Sequence, residues 1–108
     1  MPDEEKATIE REALAVPTAL VAASLLAATA ISKFLPHCNP NITSDAKVGI
    51  HLCAGAARAA YQTALVNQPS AEAKAKLAAQ LRELRDIEDK ILFEIDAPQE
   101  VGAPVAAP

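Results

Sequence analysis

Between Cys38 and Gly49 the chain reads CNPNITSDAKVG, and almost every side chain in that stretch can bond to backbone or to a ligand. Asn39 and Asn41 bring amides, Thr43 and Ser44 hydroxyls, and Asp45 a carboxylate. Such a cluster shapes a polar binding site, or it ends one helix and starts the next, with Thr43 or Ser44 accepting a bond from an orphan N–H of the first turn. Other chemistry is less well provided for. His37, Cys38, His51 and Cys53 are four zinc-type ligands by count. Two residues apart on a helix, however, His51 and Cys53 point in different directions, where a helical metal site uses spacings of three or four, so no metal is expected. Cys53 lies among small apolar residues, the setting of an inert core thiol rather than a nucleophile. No glycine-rich phosphate loop and no paired-carboxylate signature is present.

The elements that must position these residues are helices. From Asp3 to about Leu35 the residues favour helix, with Pro17 predicting either a kink or a division into a short first helix and a longer second one. Pro36 closes that segment. A second helix is expected from about Asp45 to Asn67, stopped by Pro69, and a third after Ser70, a good N-cap with Glu72 in the following turn. The third carries Leu77, Leu81, Leu84, Ile87, Ile91 and Ile95 at helical spacing. On the second helix, Gly49, Cys53, Ala56 and Ala60 form one stripe, with Val48, Leu52, Gly55, Ala59 and Val66 beside it. This wide face of small side chains is expected to sit centrally against another backbone. Lys47, His51, Arg58 and Gln62 form the remaining polar edge, expected to meet water or to line a cleft. The fold class is therefore all-α, an antiparallel bundle of three to four helices.

Composition sets the limits. Of 108 residues 25 are alanine and only three aromatic, so the core is thin for a monomer and self-association is the natural remedy. The folding unit is residues 1–96; residues 97–108, rich in Pro and Ala, read as a flexible tail. A net charge of −4 argues against a nucleic-acid partner. The uncharged run from Ala13 to Ser32 has the ~20 residues that cross a bilayer. Pro17, two Thr, two Ser and an acidic flank nevertheless make membrane insertion the lesser reading. Without a secretory signal, Cys38 and Cys53 are expected as reduced thiols in a cytoplasmic protein.

Three segments resemble the cyclodeaminase/cyclohydrolase family of helical folate enzymes, which includes the cyclodeaminase half of formiminotransferase-cyclodeaminase. In MPDEEKATIEREALAVPTALVAASL the matching residues are Pro2, Glu5, Lys6, Val16 and Pro17. CNPNITSDAKVGIHL is similar to the family's Asn-Pro-Asn turn with its Ser-Asp pair, and GAARAAYQTALVNQ to the end of the next helix, through Ala60, Tyr61, Val66 and Asn67. Thr63 and Cys38 depart from the family's Asn and Gly. The resemblance covers the C-terminal portion of the family's domain and omits a glycine-rich helix start and a carboxylate assigned to catalysis.

That resemblance implies action on a one-carbon unit bridging N5 and N10 of tetrahydrofolate. The step is either closure of 5-formimino-tetrahydrofolate with loss of ammonia or addition of water to 5,10-methenyl-tetrahydrofolate. It implies substrate contacts at Asn39, Asn41, Ser44, Asp45 and Asn67, no tightly bound cofactor, and no assignable catalytic residue in this chain. The implied partner is a second copy or a chain carrying the missing N-terminal helices; the alternative is a non-catalytic oligomerisation module.

Overall fold

A computed structural model describes residues 2–93; the expected tail at 97–108, the domain limit at 96 and Ile95 lie outside the described residues. The described residues form three helices: α1 (Asp3–Phe34), α2 (Thr43–Val66) and α3 (Ala71–Phe93). Short 3₁₀ turns, Leu35–His37 and Pro40–Ile42, join α1 to α2. No strand occurs among the described residues, and the all-α bundle is the one expected, with three helices.

Asp3, Glu4 and Glu5 open α1, where the positive end of the helix dipole favours them. Pro17 lies inside α1, which runs on without dividing. Its missing N–H leaves the Ala13 carbonyl without a helical donor. Ala13 is at an exposed position that water can reach, and the Pro17 ring is buried in the bundle, so packing holds the helix together across the defect.

The start of α2 differs from expectation. Neither Thr43 nor Ser44 caps it. The side chain of Asn39 accepts from the Asn41 N–H at 2.8 Å, the Pro40 carbonyl accepts from the Thr43 N–H, and the Thr43 hydroxyl donates to the Asn39 carbonyl at 3.3 Å. The 3₁₀ turn thus feeds directly into α2, and Asn39 caps the whole run from one turn upstream. At the other junction, Ser70 accepts from the Ala73 N–H at 3.0 Å, the N-cap role expected of it. Gln68, with φ of 51°, takes the left-handed conformation that lets the chain turn after α2.

The core is a seam of residues seven apart with others between: Leu14, Val21 and Ala28 on α1 with Leu35 in the 3₁₀ turn that follows it, Ile50, Ala57 and Ala64 on α2, and Leu77, Leu84 and Ile91 on α3. Five of the nine residues of the buried core cluster are alanines, which allow the axes to approach closely, while Val21, Ile50, Leu77 and Leu84 are the largest side chains fully buried among the described residues. The centrality of α2 holds, but its buried stripe is Ile50, Ala54, Ala57, Ala60 and Ala64. That is mostly one residue, about 100°, around from the stripe expected. Val48, Leu52 and Val66 are exposed instead. The physical reason is that α2 is apolar nearly all round, so pattern alone could not choose a face. The segment 3–37 contains an 18-residue window, of mean hydropathy 2.0, apolar enough to cross a membrane, and only 22% of that window is buried in the bundle.

Candidate functional site

The turn between α1 and α2 presents Asn39, Asn41, Ser44 and Asp45 together, all exposed. Asn39 is committed to its cap. Ser44 and Asp45 stand in the first turn of α2 with no side-chain hydrogen bond among the described residues, so the capping role expected of Ser44 is filled by another residue. Asn67 is elsewhere. It ends α2, 22 residues after Asp45, which at ~1.5 Å per residue puts it about 33 Å away. Its amide donates to the Thr63 carbonyl at 3.2 Å, and it borders a groove of about 350 Å³ whose lining includes Glu10, Arg11, Leu14 and Ser70. Within one copy, four of the five expected contacts share a surface and the fifth does not.

A second polar cluster was not foreseen. Glu88, in a core position of α3 and only 7% exposed, receives two bonds from α2: His51 Nδ1 lies 2.6 Å from Oε2, and Arg58 Nη1 donates to Oε1 at 2.9 Å. The polar edge of α2 therefore grips α3, rather than meeting water alone. A ring nitrogen this close to a carboxylate carries the proton, which leaves Nε2 with the lone pair when the ring is neutral. The signals were present in the sequence: His51 and Arg58 are two turns apart on one side of α2, and Glu88 occupies a seam position between Leu84 and Ile91.

Burial pushes the Glu88 carboxyl up, but the hydrogen bonds and charges of His51 and Arg58 outweigh it and hold the group below its ordinary value of 4.5. A carboxyl depressed in the folded state contributes stability above its unfolded value, and that contribution is lost as pH falls through the folded one. The melting temperature is therefore expected to drop on acidification below about pH 4.5, and Glu88→Gln should remove this component of the drop. Melts of both proteins from neutral to acid pH check it; parallel curves would contradict it.

The fold and the exposed Asn-Pro-Asn turn define an antiparallel three-helix bundle whose polar turn joins its first two helices. A sequence profile of the formiminotransferase-cyclodeaminase family matches residues 3–86, more than three quarters of the chain, and the chain belongs to that family. The match takes in α1, α2, the turn between them and most of α3; Glu88 lies just beyond it. No curated protein and no solved structure matches the chain.

Proposed function

We propose that this chain acts in folate one-carbon metabolism, binding a tetrahydrofolate derivative at the α1–α2 turn as part of a cyclodeaminase or cyclohydrolase site. The observation that carries this reading is the family match, which spans the turn and both helices flanking it. Ser44 and Asp45 support it, since Asn39 rather than either of them caps the helix, and both face outward from a fixed turn. The amides of Asn39 and Asn41 and the Asp45 carboxylate suit the donor and acceptor edge of a pterin. Closure of the formimino group requires N10 to attack its carbon and ammonia to leave. Hydrolysis of the methenyl bridge requires water to add to the same carbon. Each step moves protons at nitrogen and calls for a positioned acid or base. None of the turn residues is assigned that role, so catalysis on this reading needs helices supplied by a companion chain or a second copy, in the cytoplasm and with no resident cofactor. A non-catalytic helical module is the second reading, favoured by the uncovered apolar side of α2.

The two readings separate on one variant. Asp45→Asn should change stability by only about 0.3–1 kcal/mol, the worth of a first-turn carboxylate. It should weaken tetrahydrofolate binding at least tenfold, because a charge-assisted hydrogen bond is worth about 1.5–3 kcal/mol. Melting and calorimetric titration of the same variant check this. Unchanged affinity would remove Asp45 from the site, and absence of binding by the unaltered chain would favour the non-catalytic module.

A further inference from the structure

Glu88 holds two α2 side chains at once, and they leave different things open. Arg58 brings a full positive charge to Oε1 at 2.9 Å, which balances the buried carboxylate. His51, 2.6 Å from Oε2, is then needed only as an N–H donor. With the proton on Nδ1, the neutral ring keeps its lone pair on Nε2. The His51 side chain is 36% exposed against 10% for Glu88. Since Nδ1 lies against the carboxylate, the open edge of the ring is the one that carries Nε2. A buried carboxylate, a histidine fixed through Nδ1 and an outward Nε2 make the arrangement that keeps a general base in place.

The ring also lies on the same side of α2 as part of the polar turn. His51 follows Ser44 by seven residues, two helical turns that return the chain to within about 20° of the same face and ~10.5 Å further along the axis. Helical side chains lean toward the N-terminus, so the imidazole leans toward Ser44. Lys47 stands on the turn between them, a further donor for the carbonyl edge of a pterin. From Ala46 to Ala57 the other proton-bearing side chains on α2 are Lys47 and Cys53, and Cys53 packs against the core. The two turns match the reach of a pterin whose edge is held at Ser44 and Asp45 and whose N5–N10 bridge extends toward His51.

We propose that His51, held by Glu88, carries the proton in hydrolysis of the 5,10-methenyl bridge of a tetrahydrofolate seated at the turn, an inference that rests on the folate reading of that turn. Nε2 takes a proton from water as the water oxygen bonds to the bridging carbon and the C=N π pair moves onto nitrogen. The imidazolium, stabilised by Glu88, gives that proton to N5 as the C–N5 bond breaks with its pair on nitrogen. The remaining hydroxyl proton passes to solvent, and the carbon keeps the oxygen as a formyl group on N10. His51 is on this account a catalytic residue and Glu88 a positioning residue. Companion helices are still needed to close the site around the substrate, but one proton carrier lies within this chain.

Long-range proton–nitrogen magnetic resonance of the histidine rings in the full chain, with His51 identified by its loss in His51→Gln, tests the arrangement. The neutral His51 ring should carry its proton on Nδ1, and 5-formyl-tetrahydrofolate should shift Nε2 along the same saturation curve as the amides between Asn39 and Asp45. In Glu88→Met, which keeps the length but removes the acceptor, the ring proton should move toward Nε2 in a chain that is still helical by circular dichroism. With the chain in excess over 5,10-methenyl-tetrahydrofolate, loss of the methenyl absorbance should outpace the buffer rate and be at least tenfold slower in His51→Gln, with ligand binding retained. Tenfold is part of the about 10²–10⁴-fold that a positioned base supplies, because the site is not closed. A neutral ring protonated on Nε2, an unchanged tautomer in helical Glu88→Met, turn amides that shift while His51 does not, or equal hydrolysis by the parent and His51→Gln would overturn the proposal and leave the folate reading standing. A chain in which neither the turn nor the ring responds to the ligand would overturn both.

Discussion

Leu84→Ala is expected to destabilise the bundle by about 2–5 kcal/mol, the loss measured when a buried leucine is truncated in a core that cannot collapse around the gap. Leu84 is 1% exposed and sits mid-way along α3, among alanines of α2 too short to reach into the vacated space. The effect is magnified by composition. With five alanines in the buried core, Val21, Ile50, Leu77 and Leu84 are the largest fully buried side chains among the described residues, and losing one removes a large share of the total. Single domains have roughly 5–15 kcal/mol in reserve, so the variant should melt far below the parent or arrive largely unfolded. Urea titration followed by circular dichroism measures it. A cost under about 1 kcal/mol would mean that α3 is not packed as described.

The second large effect is expected at Glu88. Glu88→Ala removes both bonds that tie α3 to the polar edge of α2 and leaves His51 and Arg58 facing an uncharged gap. Hydrogen bonds to charged groups contribute about 1.5–3 kcal/mol each. Because the Arg58 side chain is 56% exposed and His51 36%, water takes over part of what is lost, and a total near 2–3 kcal/mol is expected. Glu88→Gln, which keeps the shape and one acceptor, should cost about half as much. The comparison is informative in itself: equal losses would assign the effect to charge, and a negligible loss in both would mean the three groups do not engage in solution.

The sequence made the helices and their ends legible where punctuation is strong. Pro36, Pro69 and Ser70 mark boundaries that the structure keeps, because a missing N–H or an N-cap hydroxyl acts locally. The seam of α3 was readable since Leu77, Leu84 and Ile91 stand out against charged neighbours. On α2 the same reasoning chose the wrong side. A helix apolar on two opposite faces has no single direction of hydrophobicity, and only contact with α1 and α3 decides that Ile50 goes in and Leu52 stays out. Pro17 shows the converse limit: packing over-rides a local breaker when the ring itself is buried. At the site, the turn was legible as a cluster because its residues are neighbours in sequence. The separation of Asn67 followed from the length of α2. The His51–Glu88–Arg58 contact escaped because it joins residues 30 and 37 apart, and depends on how α2 and α3 rotate against each other.

The claim that the Asn-Pro-Asn turn binds folate is tested most directly by nuclear magnetic resonance of the isotope-labelled full chain during addition of 5-formyl-tetrahydrofolate. Saturable shifts of the backbone amides between Asn39 and Asp45 are the predicted result. No shifts at saturating ligand, or shifts confined to the groove at Glu10 and Arg11 with the turn unmoved, would contradict it.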